Sequence, residues 1–265
     1  MRLLTWNINS VRLRLPLLEK LVKAENPDII CLQETKCPDE LFPSDPIKAF
    51  GFQHQYVWGQ KSYNGQAILS KIPFSKEQKY TRCGQDDCRH ISVEFEDFEL
   101  HNLYVPSGGA GGDLPDPETN QKFRHKLDFV DEMTDWFTDN YNSDKPLVSV
   151  GDFNIAPYEH DVWSHKQLLK VISHTPEETS RLEKMRKSLN WVDARAHFIP
   201  MEEKAYSWWS YRNKDWKKSN RGRRLDHIWV TPPLQDNLKD FKILTDWRDA
   251  ERPSDHVPVV LDLKK

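Results

Sequence analysis

One α/β domain of layered sheets covered by helices is the fold class the sequence predicts. Two observations carry that expectation. Short apolar runs of strand character recur along the chain, at Leu3–Ile8, Asp28–Leu32, Ala67–Leu69, Ile91–Phe95, Leu100–Val105, Leu147–Val150, Ile228–Val230 and Val257–Leu263. Helical periodicity appears between them, with no repeat or low-complexity linker to divide the chain, so residues 1–265 read as one domain.

The first helix is marked by Leu13, Leu17, Leu18, Leu21 and Val22. A second runs through Phe123, Leu127, Val130, Met133 and Phe137, with acids and bases on its other face, and a third spans Glu177–Leu189. Pro106–Asn120, with its Gly-Gly-Ala-Gly-Gly stretch, reads as a long polar loop of the kind that carries binding groups on a sheet scaffold. That stretch lacks nucleotide-loop spacing and is equally compatible with plain flexible surface.

Composition narrows the function classes. No apolar run approaches the roughly 20 residues that span a bilayer, and no basic region with an apolar signal core opens the chain, so a cytoplasmic protein without membrane attachment is expected. The four cysteines (Cys31, Cys37, Cys83, Cys88) then read as free thiols. Cys83, Cys88 and His90 lack the second ligand pair of a zinc site and read as part of a loop.

A formal net charge of −3 speaks against a nucleic-acid binder, but distribution decides more than the sum. Between Tyr211 and Arg224 stand Arg212, Lys214, Lys217, Lys218, Arg221, Arg223 and Arg224 against one acid, Asp215. Trp208, Trp209, Tyr211 and Trp216 flank or interrupt them. A cationic loop interleaved with rings suits a phosphate backbone with sugars or bases beside it.

The chemistry gathers at strand ends. Asn7 and Asn9 follow the first apolar run, Glu34 the second, and Asp152 and Asn154 follow Leu147–Val150. Asp226 precedes Ile228–Val230, and Asp255 and His256 precede the last run. Each alone reads as a turn or cap, but five such ends converging on one cleft make an oxygen-rich anionic pocket. Carboxylate and amide oxygens suit Mg²⁺ or Mn²⁺ rather than zinc, and a hard cation beside a basic loop points to phosphoryl chemistry.

These residues also carry a family resemblance. Trp6-Asn7-Ile8-Asn9-Ser10-Val11-Arg12, Leu32-Gln33-Glu34-Thr35-Lys36, Gly151-Asp152-Phe153-Asn154, Arg224-Leu225-Asp226 and Ser254-Asp255-His256-Val257-Pro258 resemble, in order, the signature blocks of exonuclease III-type AP endonucleases. The resemblance implies a four-layer α/β sandwich of two packed mixed sheets flanked by helices. It also implies a monomer acting on double-stranded DNA with abasic sites or 3′ blocks, with Mg²⁺ as cofactor and Mn²⁺ able to substitute. Glu34 then resembles the principal metal ligand with Asn7 beside it, and Asp255 a further metal-side acid. Asp152, helped by Asn154, resembles the group that orients or deprotonates water, and both are counted near the metal. His256 resembles a phosphate-contacting histidine held by Asp226, and Tyr104 a contact to the scissile phosphate or leaving group.

Arg89 matches a backbone-phosphate arginine, and Trp208 a ring set against the sugar that lacks a base. Lys36, Asn64, Arg212 and Arg221 complete the expected DNA-facing set. Two positions depart from the pattern. Ser107 stands where many relatives carry Asn or Gln, which implies a weaker or water-mediated contact. Arg223 replaces an apolar or aromatic residue near the abasic pocket, which implies a shifted balance between internal abasic cutting and 3′-end trimming.

Overall fold

The computed structural model describes residues 1–109, 113–213 and 215–264. Its strands are β1 (Arg2–Asn7), β2 (Ile29–Gln33), β3 (His54–Trp58), β4 (Gln66–Ser70), β5 (Ser75–Lys79), β6 (His90–Glu94), β7 (Glu99–Tyr104) and β8 (Leu147–Asp152). They continue with β9 (Val192–Asp193), β10 (Trp208–Trp209), β11 (Gly222–Arg223), β12 (Asp226–Val230), β13 (Leu238–Ile243) and β14 (Val259–Leu263). The helices are α1 (Leu15–Glu25), α2 (Ser44–Ala49), α3 (Gln121–Asn140), α4 (His165–Leu168), α5 (Pro176–Ser188), α6 (Ala194–Phe198) and α7 (Trp216–Ser219).

Two six-stranded sheets result, ordered β13-β14-β1-β2-β4-β3 and β5-β6-β7-β8-β12-β9, with a short β10-β11 ribbon beside them. Each sheet has one parallel pair at its centre, β1/β2 and β7/β8, and antiparallel neighbours outside it. The mixed-sheet sandwich expected from the resemblance is therefore what the chain forms.

Alternation along the strands builds the layers. Leu3, Ile29, Cys31 and Ile68 face Val93, Leu100, Val148, Val150 and Ile228 in the core between the sheets. On the other face of the first sheet, Leu4, Trp6, Ile30 and Leu32 pack under Leu17, Leu18 and Leu21 of α1. Leu103, Leu147 and Trp229 of the second sheet are covered by Phe129, Val130, Met133 and Phe137 of α3 and Leu182 and Met185 of α5. Polar side chains rivet the layers close to one edge. Gln33 Nε2 donates to Asn102 Oδ1 at 2.7 Å, and Asn102 Nδ2 donates to the carbonyls of Leu32 and Ala67 at 3.0 and 3.2 Å.

Several boundaries differ from the sequence expectation. Pro16 sets the start of α1, so Leu13 lies before the helix and is 49% exposed. The last strand begins at Val259 rather than Val257, because Pro258 has no N–H for a ladder. α5 ends at Ser188, one residue short of the expected span. Lys126, a base within the amphipathic α3, is fully buried. Edge strands β3, β5 and β13 escaped the apolar pattern, and β5 (Ser-Lys-Glu-Gln-Lys) is exposed along its whole length. Of the glycine-rich stretch, Gly108 and Gly109 are described with positive φ, and 110–112 lie outside the described residues, as does Lys214.

Candidate active site

The convergence of strand ends follows from topology. β1, β2, β7 and β8 deliver their C-terminal ends to one edge, and the antiparallel β12 and β14 deliver their starts there. In the second sheet Tyr104 pairs with Asp152 and Asp152 with Asp226, so three functional side chains stand side by side in register. Gly151 makes that row possible. Its φ is +141°, and a Cβ there would meet the Leu103 carbonyl oxygen at 1.9 Å.

One half of the site centres on Glu34. This residue has φ +51°, as does neighbouring Lys36 at +49°, and Asn9, Ser10 and Asn154 also have positive φ. Such a cluster of left-handed residues is strain that surrounding contacts must hold. Glu34 Oε1 accepts from Tyr104 OH at 2.8 Å and Asn7 Nδ2 at 2.9 Å. Lys36 Nζ lies 2.7 Å from Glu34 Oε2 and donates to Asn9 Oδ1 at 2.7 Å. Burial opposes the charge on Glu34, but Lys36 and the three hydrogen bonds outweigh it and hold the carboxyl below its ordinary range. Burial, with the same charge beside it, pushes the Tyr104 phenol well above its usual value.

The other half is more deeply buried. His256 Nδ1 donates to Asp226 Oδ2 at 2.8 Å, and its Nε2 lies 3.6 Å from Asp152 Oδ2. Burial disfavours the imidazolium, but Asp226 and Asp152 prevail and lift His256 to about 10. Asp152 is pushed up to about 7 by burial and by Asp226, against the pull of His256 and Asn7. Asn154 braces it through its backbone N–H at 2.9 Å and side-chain amide at 3.1 Å. Asn7 joins the halves, since Nδ2 also donates to Asp152 Oδ2 at 2.9 Å. Asp255 stands to one side, taking N–H groups from Trp208 at 3.0 Å and Asn9 at 3.1 Å. Burial would raise it, but His256 and those donors hold it low.

The donor set fits a hard cation. Glu34, Asp152 and Asp255 bring carboxylates, Asn7 and Asn154 bring amides, and Lys36 supplies the positive charge that Glu34 accepts in the structure. Asp152, Asp226 and His256 also place ligand atoms within 4.8 Å of one another, although His256 already bridges the two carboxylates as a cation. Asp226 Oδ1 is buried with no hydrogen-bond partner among the described residues.

The cleft above has about 330 Å³ and is lined by both halves together with Ile172, Ser173, Trp208, Arg212 and Arg223. Arg223 lies over the Trp208 ring at 5.2 Å and donates to Ser173 Oγ at 2.6 Å and Ile172 O at 3.0 Å. A second cleft of about 500 Å³, shared through Glu34 and Tyr104, carries Lys36, Asn64, Arg89, Ser107 and Lys122. Arg89 is neutralised within the protein by Asp87 at 2.5 Å and donates to Asn64 Oδ1 at 3.0 Å, with its guanidinium over the Tyr104 ring. Arg221 is exposed, 4.7 Å over the Trp163 ring.

Sequence reasoning missed the supports. Ser207 Oγ donates to Asp226 Oδ2 at 2.6 Å, Ser254 Oγ to Asn7 O at 2.7 Å, and Trp6 Nε1 to His256 O at 3.1 Å. Trp6 and Ser254 stood inside the matched blocks, and Ser207 in the Tyr206-Ser207-Trp208-Trp209-Ser210-Tyr211 segment that also resembles the family, but none of these blocks says which partner the side chain holds. The Cys83, Cys88 and His90 trio forms no metal group among the described residues, and His90 instead faces Arg82 and His101.

A model of the Endonuclease/Exonuclease/phosphatase family matches residues 4–256. The exodeoxyribonuclease III of Haemophilus influenzae is 30% identical over the full length of both chains. Among solved structures, an AP endonuclease from Archaeoglobus fulgidus superposes with a TM-score of 0.92 at 29% identity, covering both chains completely. The 3′ phosphatase NExo from Neisseria, bound to a product DNA hairpin, superposes with a TM-score of 0.89 at 29% identity, also with full coverage.

Proposed function

The chain belongs to the Endonuclease/Exonuclease/phosphatase family, with the exonuclease III and AP endonuclease enzymes, and we propose that it is a DNA repair nuclease. It hydrolyses the phosphodiester 5′ to abasic sites in duplex DNA and trims 3′ ends, as a 3′-5′ exonuclease and a 3′-phosphatase or phosphodiesterase. It works as a monomer in the cytoplasm. The observation that carries this reading is the convergence at one edge of Glu34, an Asp152 joined to it through Asn7, and a His256 held by Asp226.

Glu34, with Asn7 beside it, would hold Mg²⁺, or Mn²⁺ in its place, and the carboxylates of Asp152 and Asp255 with the Asn154 amide would complete the surround. When bound, that ion offsets charge on the phosphate and at the departing oxygen. The chain's own groups do the rest. Asp152, with Asn154 fixing both its oxygens, orients the attacking water and takes its proton. His256 turns its Nε2–H to the phosphate while Asp226 holds Nδ1. Tyr104 OH faces the leaving-group side next to Glu34. Trp208 and Arg223 wall the space for a sugar without a base, and an unstacked damaged nucleotide reaches it at least cost.

A substrate panel tests the reading: a labelled duplex with one abasic analogue, a duplex ending in a 3′-phosphate, and a small phosphodiester, each with Mg²⁺ and with EDTA. A metal-dependent cut 5′ to the lesion and trimming of the 3′ end are expected. Turnover of the small ester alone would move the chain to another phosphodiesterase of its family, and tight duplex binding without turnover would make it an inactive scaffold.

A further inference from the structure

Beneath the cleft lies an ion pair with no exposed surface at either partner. Lys126 Nζ sits 2.5 Å from Glu178 Oε1, both side chains at 0% exposure. Lys126 spends its other donors on two backbone carbonyls, Asn154 O at 2.8 Å and Ser107 O at 3.3 Å. An ammonium has three donors, so all are satisfied. Glu178 is saturated too. It accepts from the N–H of Ser173 at 2.9 Å, the N–H of Thr175 at 3.0 Å and the Thr175 hydroxyl at 2.8 Å.

A reciprocal Thr175–Glu178 cap at the start of α5 is ordinary helix chemistry. Its continuation into a buried lysine is not. Desolvating two charges rarely stabilises a fold relative to apolar packing, so the pair's value is better sought in what it holds in place. The two sides of the pair reach the two walls of the cleft. On one side Asn154, with φ +53°, braces both oxygens of Asp152. On the other, Ser173 receives the Arg223 guanidinium on its hydroxyl while Glu178 holds its backbone N–H. The loop after β7 is drawn in as well, since a Cβ at Gly108 would lie 2.9 Å from Lys126 Cδ.

We propose that Lys126 is a positioning residue which, with Glu178, locks the Asn154 turn and the Ser173–Arg223 wall into one unit and so sets the aim of Asp152 into the cleft. This inference rests on the nuclease reading for its effect on rate, but its effect on structure stands apart. Removing Lys126 alone strands a buried carboxylate and endangers folding, so the informative protein is the neutral double variant Lys126→Met/Glu178→Gln. The glutamine keeps acceptor capacity for the α5 cap.

Two readouts are needed. The first is kcat and KM on the abasic and 3′-phosphate duplexes. The second is amide hydrogen exchange in segments 105–109 and 152–156, compared with α1. The double variant is expected to fold, to lose at least about tenfold in kcat with KM changed less than about twofold, and to exchange faster at Asn154 and Ser107 with α1 unaltered. A variant that turns over like the wild type, or whose two segments exchange like the wild type, overturns the proposal. Faster exchange in a protein whose wild type cuts neither duplex would keep the positioning role and sink the nuclease reading.

Discussion

The two halves of the cleft hold their carboxylates in opposite ways. Glu34 is buried, but three hydrogen-bond donors, the lysine Lys36 among them, hold its carboxyl below the ordinary range. Asp152 sits deeper, beside a second carboxylate, and is pushed up to about 7 even with His256 next to it. Asn7 donates to both. The lesson is one of division: where two carboxylates in one site are driven apart in proton affinity, one is fitted to hold positive charge and the other to move a proton.

The largest expected effect tests the proton-handling half. Asp152→Asn keeps the shape and one of the two acceptor oxygens that Asn7 and Asn154 use but removes the base, and kcat on an abasic duplex should fall by about 10³-fold. A loss under tenfold would remove Asp152 from that role. Tyr104→Phe tests the other half more gently. It deletes one hydrogen bond to Glu34, so a loss of about tenfold in activity is expected, together with a raised Mg²⁺ midpoint on titration. An unchanged Mg²⁺ midpoint would separate the tyrosine from the metal side.

The histidines sharpen the same contrast through stability. His256 between two carboxylates is raised, whereas burial drives His101 down to about 3, His227 to about 4 and His90 well below its usual value. For the depressed three, the folded state stays unprotonated while the unfolded chain takes up protons below its ordinary 6.5. Their contribution is complete above pH 6.5 and is lost as pH falls through 6.5 towards 4 and 3. Asp152, which gains its proton on folding near pH 7, and His256, whose gain is already complete once pH falls below 6.5, oppose them more weakly than the three together. The melting temperature should therefore drop between pH 7 and pH 5, and His227→Phe should make the drop shallower. A melting temperature that rises toward pH 5 contradicts these assignments. Smallest of all is Arg221→Ala. An exposed arginine contacting one phosphate should cost little affinity at low salt and reduce the slope of log K against log salt by about one.

How much of this was legible in the sequence depends on whether the signal is local. Ile29–Gln33 and Leu147–Asp152 are buried on both faces, so they read as continuous apolar runs, and the acids after them stood out. The edge strand Ser75–Lys79 is exposed throughout and offered no apolar alternation to read. Lys126 looked like any charged residue of an amphipathic helix, because its partner lies 52 positions later and only the packing of α3 against α5 joins them. Ser207 reaches Asp226 through the pairing of β10 with β11, two strands of two residues each. No apolar alternation announces strands this short, although the 206–211 segment that holds Ser207 resembles the family. Arg89 and Lys36 show the converse. Both read as cations available to DNA, yet the fold pairs them with Asp87 and Glu34.

The division between the halves is tested most directly by titrating Mg²⁺ in single-turnover cleavage of a labelled abasic duplex, with Glu34→Ala and Asp152→Asn side by side. If Glu34 holds the ion and Asp152 moves the proton, Glu34→Ala regains part of its rate as Mg²⁺ is raised, and Asp152→Asn stays slow at every concentration. Equal recovery of both variants, or recovery of Asp152→Asn alone, would contradict it.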